Sequence, residues 1–135
     1  MRQLALTRSQ IKAMRLHVNA WLPLEACGLL AGRAGAVQKV IPVANHAHSP
    51  VRFRMDPVEQ LQAFNWMEAN GLELVGIFHS HPAGPDGPSP TDIAEAAYAV
   101  VYLIWSRGVA DWRVKGYWIE ERRVTEIGLD IAGDE

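Results

Sequence analysis

Apolar side chains recur at helical spacing in the first part of the chain. Between residues 7 and 22 the apolar positions that share one helical face are Ile11, Met14, Val18 and Trp21. Thr7 and Gln10 have the spacing of a capping box, in which each side chain bonds to the other residue's backbone N–H. Pro23 cannot continue a helix. The pattern therefore predicts a first helix over residues 7–22.

Two further helices are predicted from the residues that begin them. Asp56 can cap a helix and Pro57 suits its first position. The apolar face of this second helix is expected to comprise Val58, Leu61, Phe64 and Met67. Asn70-Gly71 ends it. Ser89 has the same capping chemistry, and we expect a third helix from there to about residue 99.

Short apolar or alternating segments predict a sheet. The predicted strands cover residues 25–31, 37–43, 51–55, 72–79, 100–106, 112–119 and 122–127. Residues 32–35 are typical of a hairpin turn, Glu120-Glu121 would join a closing hairpin, and residues 133–135 are expected to fray. The order of these elements predicts one layered α+β domain built on a largely antiparallel or mixed sheet.

Composition narrows the class of protein. The chain has 135 residues, 49% of them hydrophobic and 21% charged, which suits one globular domain and excludes disorder. The formal net charge of −2 argues against broad binding to nucleic acid or a membrane surface. No apolar run reaches the ~18 residues of a membrane helix, and no signal core follows Met1. The single Cys27 excludes an intrachain disulfide framework, and we expect a cytoplasmic protein.

One histidine ends the predicted strand over residues 72–79, and a second follows two residues later. His79 and His81 lie two residues apart, so in an extended chain both imidazoles leave the same face and can reach one metal ion. A catalytic Zn²⁺ usually has three protein ligands. Asp92 is well placed to be the third, because the Gly- and Pro-rich loop before it can turn back sharply.

Each of these residues also has an ordinary explanation. Ser89 and Asp92 have the types expected of a helix cap and a first-turn acid. His-x-His pairs are common in surface loops; His46 and His48 form a second such pair, which we expect to be solvated. On the local pattern alone, a metal site and a well-capped helix remain equally good interpretations.

The longer pattern resembles a known family. His79-Ser80-His81-Pro82, followed after six residues by Ser89-Pro90-Thr91-Asp92, resembles the JAMM motif of MPN-domain metalloproteases, His-x-His-Pro-x6-Ser-x-x-Asp, at every defining position. Residues 23–32 resemble the family segment that supplies a catalytic glutamate, here Glu25, before Gly-Leu-Leu-x-Gly. The similarity covers about residues 5–127, and the chain is similar in size to the short bacterial and archaeal members.

The resemblance implies both a fold and a metal. The fold is a single JAMM/MPN domain over residues 1–135, with a core at about 5–127. Its curved mixed or antiparallel sheet is flanked by helices, in a layering similar to that of cytidine deaminases. The metal is one Zn²⁺ per chain, bound by His79, His81 and Asp92.

The resemblance also implies catalytic roles. Glu25 would take a proton from the zinc-activated water and pass it to the leaving amine. Ser89 would donate a hydrogen bond to the developing oxyanion, or position the water. Cys27, two residues beyond Glu25, is expected to be a small core residue, with a zinc ligand or a redox switch as the alternatives.

The family narrows the substrate. JAMM proteins cleave isopeptide or peptide bonds after the C-terminal Gly-Gly tail of ubiquitin-like proteins, and short bacterial members process sulfur-carrier proteins. We therefore expect a zinc metallopeptidase that acts on a ubiquitin-like or sulfur-carrier partner, docked by strand addition beside residues 51–55 or the 82–88 loop. The alternatives are a non-catalytic MPN scaffold and a zinc deaminase, whose Pro-Cys-x-x-Cys signature one cysteine cannot supply. Among five tryptophans, we expect one or two at a substrate surface or a homodimer contact.

Overall fold

The computed structural model describes residues 3–109 and 111–133. Within these ranges the chain forms seven strands and three helices, in the order β1 (Gln3–Thr7), α1 (Arg8–Ala20), β2 (Cys27–Arg33), β3 (Ala36–Val43), α2 (Pro57–Ala69), β4 (Glu73–His81), α3 (Pro90–Glu95), β5 (Val101–Arg107), β6 (Trp112–Glu120) and β7 (Arg123–Ala132). The capping box of Thr7 and Gln10 is present at the start of α1. None of these helices is long and apolar enough to cross a membrane.

The described strands form one closed sheet. Their order is β1-β3-β2-β4-β5-β6-β7, and β7 pairs again with β1. The pairs β1–β3, β1–β7 and β4–β5 are parallel, and the other neighbours are antiparallel. The expected mixed α+β fold is confirmed, and its curvature is large enough to close the sheet.

The central strands β4 and β5 are buried on both faces. One face packs against α1 in a cluster that includes Phe78, Leu103, Met14 and Val18. The other face packs against α2 in a cluster that includes Ile77, Ile104, Ala63 and Met67. Burial on both faces is the reason these strands appear in the sequence as continuous apolar runs rather than as an alternating pattern.

Two terminal features differ from the prediction. β1 was not expected, because five residues before a helix cap give too short a pattern to distinguish from a loop. β7 extends to Ala132 rather than residue 127, since Gly128 to Ala132 pair with β1. Both differences have one cause, a parallel pairing between the two ends of the chain. Of the tail predicted to fray, residues 134–135 lie outside the described residues.

The predicted strand over residues 51–55 is wrong. Only one bridge forms there, between Asn45 and Met55, and the rest of the segment is an extended loop. The predicted apolar face of α2 is also partly wrong. Val58 and Leu61 are 62% and 61% exposed, whereas Ala63 is buried. The helix is therefore rotated so that Ala63 and Met67 approach the sheet while Val58 and Leu61 face solvent.

The third helix is shorter than predicted. It ends at Glu95 instead of continuing to about residue 99, because Ala96 is already extended. The backbone N–H of Tyr98 then donates to the hydroxyl of Tyr102. The chain bends at residues 98–100 before it enters β5 beside β4, and this connection overrides the helical pattern.

Substituting alanine at Gly28 tests the tight packing between β2, β3 and β4. A Cβ atom at Gly28 would lie 2.3 Å from the ring of Phe78 and 2.8 Å from the carbonyl oxygen of Ile41. We expect Gly28→Ala to lower the free energy of unfolding by about 1–3 kcal/mol, measured by urea denaturation. Gly128→Ala is the matched control, since its nearest neighbour would be Gln3 Nε2 at 3.6 Å. Equal stability of the two variants would contradict this packing.

Candidate metal centre

The register between β2 and β4 brings the first two elements of the site together. Cys27 pairs with His79, and the same register continued by two residues places Glu25 opposite His81. Hydrogen bonds fix this continuation: Ser80 N–H donates to the Ala26 carbonyl at 3.0 Å, and Ala26 N–H donates to Ser80 Oγ at 2.8 Å. Side chains alternate along strands, so Glu25 and both histidines lie on one face.

Helix α3 supplies the third element. Asp92 lies in its first turn, and its two carboxylate oxygens contact different imidazoles. Oδ1 is 3.2 Å from His79 Nε2 and Oδ2 is 3.0 Å from His81 Nε2. The two Nε2 atoms are 3.1 Å apart. Three side chains thus direct their donor atoms at one point.

Neighbouring groups orient both imidazoles. His81 Nδ1 lies 2.8 Å from the carbonyl oxygen of Pro85, to which its N–H donates. A metal ion would therefore bind at Nε2, after that nitrogen has lost its proton. His79 stacks on the ring of Phe53, with centroids 4.4 Å apart. Asp86, next to Pro85, forms an exposed ion pair with Arg113 at 3.0 Å, and its carbonyl accepts from the hydroxyl of Tyr117 at 3.3 Å.

The donor set fits Zn²⁺. Tetrahedral bonds of ~2.0–2.1 Å hold ligand atoms ~3.3 Å apart, close to the 3.0–3.2 Å found between the nitrogens and carboxylate oxygens here. A group of side chains that could hold a metal, found among the described residues, comprises Glu25, His79 and His81, whose donor atoms lie within 4.8 Å of one another. The side chains of His79, His81 and Asp92 could hold the ion directly, with Glu25 beside it.

Glu25 is a buried carboxyl group without full compensation. It is 3% exposed, and Oε1 has no hydrogen-bond partner among the described residues. Burial is the main cause that raises the pKa of Glu25 to about 8, with His81 opposing the shift and Asp92 adding to it. A buried, unpaired carboxyl group beside imidazole ligands is the arrangement expected of a general base that faces a cation.

The pKa values of the three possible ligands differ in direction. Burial holds the pKa of His79 below its ordinary value. Burial also lowers the pKa of His81, but hydrogen bonds with Asp92 and Pro85 outweigh it, so the net direction is upward. Burial alone would raise the pKa of Asp92, yet the bonds from both histidines hold it well below its usual range. Asp92 is therefore ionised, as a metal ligand must be.

Capping and metal ligation use the same residues. Ser89 Oγ accepts from Asp92 N–H at 3.1 Å, and Ser89 N–H donates to Asp92 Oδ2 at 2.9 Å. This capping box fixes the carboxylate at the site and leaves the hydroxyl hydrogen of Ser89 free to donate elsewhere. The two interpretations of these residues are compatible.

The remaining sequence candidates lie outside the cluster. His46 and His48 are exposed, as expected. Cys27 is fully buried, its thiol points to the carbonyl of Val43 at 3.5 Å, and burial raises its pKa to about 12. The described side chains that could hold a metal do not include Cys27, and a thiol buried in this way is inert, so Cys27 is a core residue.

The sequence did not reveal the groove that adjoins the site. Its volume is about 700 Å³. One wall is the extended loop around Phe53 and Met55, and the other is the segment after α3 that includes Tyr98. The ring of Phe53 links the groove to His79. Residues 96–98, which were predicted to be helical, are not helical and line the groove.

The imidazole and carboxylate donors that converge at one end of the closed mixed sheet form a candidate metal-binding site. A family model described as prokaryotic homologs of the JAB domain matches residues 7–115, and the chain belongs to this family. Over 97% of this chain and 94% of the other, the fold is similar to the solution structure of a protein from Desulfitobacterium hafniense, with a TM-score of 0.87 and 37% identity.

Three relatives have named activities. The chain is 42% identical over 99 residues to a probable TtuB-protein conjugate cleaving protease of Thermus thermophilus, covering 73% of this chain and 66% of the relative. It is 45% identical over 90 residues to a desampylase of Pyrococcus furiosus, covering 66% and 64%. It is 35% identical over 126 residues to a CysO-cysteine peptidase of Mycobacterium tuberculosis, covering 90% and 86%. The matches to the first two relatives span less than two thirds of their lengths.

The raised pKa of Glu25 predicts how the metal-free protein responds to pH. Between the ordinary value of 4.5 and about 8, the folded protein keeps a proton at Glu25 that the unfolded chain releases. Stability must then fall as pH rises, by up to about 1.4 kcal/mol per pH unit from this residue. We expect Glu25→Gln to remove this fall, measured by urea denaturation across the interval after chelation of metal.

Glu68→Gln is the control for this experiment. Glu68 is an exposed carboxylate on α2, so its loss should leave the pH dependence of wild-type stability unchanged. If the Glu25→Gln and wild-type curves run parallel across the interval, Glu25 is not a buried acid in the metal-free protein.

Proposed function

We propose that this chain is a zinc-dependent peptidase that hydrolyses the amide bond after the Gly-Gly tail of a ubiquitin-like or sulfur-carrier protein. The observation that carries the proposal is the convergence of His79, His81 and Asp92 at 3.0–3.2 Å beside the unpaired carboxyl group of Glu25. The named activities of the three relatives support the reaction class and the substrate class.

The residues divide the reaction between them. Zn²⁺ in such a centre polarises the scissile carbonyl and makes water acidic enough to react near neutral pH. Glu25 accepts the proton of the attacking water and returns it to the leaving amine, since its buried carboxyl group has no other partner at Oε1. Ser89 donates its free hydroxyl hydrogen to the oxygen that becomes negative.

The groove offers backbone groups to an extended tail. Asn45 and His46 bond to the backbone of Arg52 and Arg54 on one side of the extended loop. In an extended chain the N–H and C=O groups of Phe53 therefore point to the opposite side, and no hydrogen bond is made by them within the described part of the chain. This wall can add a substrate strand.

Of the two docking positions expected from the sequence, we favour this wall over the 82–88 loop. The carbonyl of Pro85 already accepts from His81, and that of Asp86 accepts from the hydroxyl of Tyr117. Each of those carbonyls already has one donor within the chain, whereas the backbone groups of Phe53 have none among the described residues. The exposed Val58 and Leu61 on α2, next to the groove wall, offer apolar contact to the folded body of the partner.

Several broader assignments remain predictions. We propose that residues 1–135 form one domain, supported by the family match over residues 7–115. A cytoplasmic location, a homodimer and the absence of nucleic-acid or membrane partners stay predictions from the sequence. Trp66, 39% exposed, is a candidate for a contact surface. The rival function, a non-catalytic scaffold, does not explain why an unpaired glutamate is buried beside two imidazoles.

Zinc binding tests the ligand assignment. We expect the wild-type protein to bind close to one equivalent and His81→Ala to bind at least ~100-fold more weakly, because a direct ligand is lost. Chelator competition followed by elemental analysis measures both quantities. His46→Ala, which removes an exposed loop histidine, is the control and should bind zinc normally. Unchanged affinity in His81→Ala would exclude His81 as a ligand.

Turnover tests the reaction and the role of Glu25. Zinc-loaded protein incubated with a panel of sulfur-carrier–cysteine adducts should release cysteine, seen as a mass decrease of the carrier. Glu25→Gln should keep zinc but lower kcat by about 10²–10⁴, the usual contribution of a general base. Failure to cleave any adduct would count against the substrate class. Near-normal kcat in Glu25→Gln would remove Glu25 from the mechanism.

A further inference from the structure

Asn45 is a polar side chain with no access to solvent. It is 0% exposed and lies two residues after the end of β3. Its amide nitrogen donates to the carbonyls of Glu25 at 3.0 Å and Arg52 at 3.1 Å. Its amide oxygen accepts from the N–H groups of Ala47 at 3.0 Å and Arg54 at 2.9 Å. Both donor hydrogens and both acceptor positions of the amide are therefore used.

These four bonds join two parts of the site that are distant in sequence. The carbonyl of Glu25 is held by Asn45, while the N–H of Glu25 donates to Ser49, four residues after Asn45. Since Glu25 Oε1 has no partner of its own, the direction of this carboxyl group depends on how its backbone is held. Asn45 supplies one of the two bonds that hold it.

The other two contacts fix the wall of the groove. The backbone groups of Arg52 and Arg54 that bond to Asn45 lie on either side of Phe53. Phe53 in turn stacks on His79. Within residues 3–109 and 111–133, the single bridge between Asn45 and Met55 is the only strand pairing that holds this segment. The amide of Asn45 therefore substitutes for a missing ladder of backbone hydrogen bonds.

We propose that Asn45 is a positioning residue that sets the catalytic base and the substrate groove in register with each other. It touches neither the metal ligands nor the reacting atoms in this arrangement, and acts through Glu25 and the segment around Phe53. The inference rests on the proposed peptidase function for its kinetic consequence. The structural part of the proposal, that Asn45 couples the backbone at Glu25 to the segment around Phe53, does not depend on the substrate.

Two substitutions remove the donor contacts of Asn45 alone or all of its side-chain contacts. Asn45→Asp keeps an acceptor for Ala47 and Arg54 but places an oxygen against the carbonyls of Glu25 and Arg52. Asn45→Ser is too short to reach either side. Val18→Ala is the matched control, since Val18 is equally buried on α1 and packs in the core without a hydrogen-bonding side chain. Thermal unfolding compares how far each variant is destabilised.

Three measurements on the zinc-loaded proteins test the proposal. In both Asn45 variants, amide hydrogen exchange over residues 45–55 should accelerate at least tenfold relative to Val18→Ala. The zinc dissociation constant should stay within about threefold of wild type, because no ligand is moved. With the adduct panel, kcat should fall and KM should rise, with kcat/KM at least tenfold below that of Val18→Ala. A merely structural role would not produce this difference at matched stability.

The outcomes distinguish this inference from the proposed function. Unchanged exchange over residues 45–55, or kcat/KM that falls no further than in Val18→Ala, overturns the role of Asn45. Zinc loss in parallel with activity also overturns it, since the metal site would then be what Asn45 supports. A wild-type protein that binds zinc but cleaves no adduct overturns the substrate class, while the exchange data still decide whether Asn45 couples the two segments.

Discussion

The antiparallel register between β2 and β4 is the constraint on which the site depends. With Cys27 opposite His79, Glu25 falls opposite His81 and on the same face of the sheet. A slip of one residue would place Glu25 opposite Ser80 and turn it toward the other core cluster, because side chains alternate along a strand. The hydrogen bonds of Ser80 with Ala26 hold the register where the ladder ends.

The site places several ionisable side chains in the protein interior, where the loss of hydration destabilises the folded state. Two imidazoles and an unpaired carboxyl group are almost inaccessible to solvent, and unpaired buried groups are destabilising. The metal-free protein compensates in part, through the contacts of Asp92 with both histidines and the protonation of Glu25. A bound cation would complete that compensation and lower the cost of ionising Glu25. Metal binding and folding are therefore coupled.

Local sequence signals correctly predicted where helices begin, because a helix cap is formed by residues that are close together in the chain. The capping box at Thr7 and the helix cap at Ser89 form as predicted, and Asp92 completes a reciprocal capping box with Ser89. The helix from Asp56 begins where predicted but presents Ala63 rather than Leu61 to the sheet, because only the packing partner fixes the rotation of a helix. The residues 51–55 alternate as a strand would, yet the closed sheet has no place for them and Asn45 holds them instead.

The sequence by itself determined the chemistry of this protein: which residues could bind a metal, which carboxyl group could serve as a base, and which family pattern they match. Only the tertiary structure decided how they meet. The pairing of β1 with β7 that closes the sheet, the groove beside Phe53 and the bonds of Asn45 to Glu25 all join residues far apart in the chain. Such contacts leave no periodic signal, because their energy arises only when distant segments are brought together.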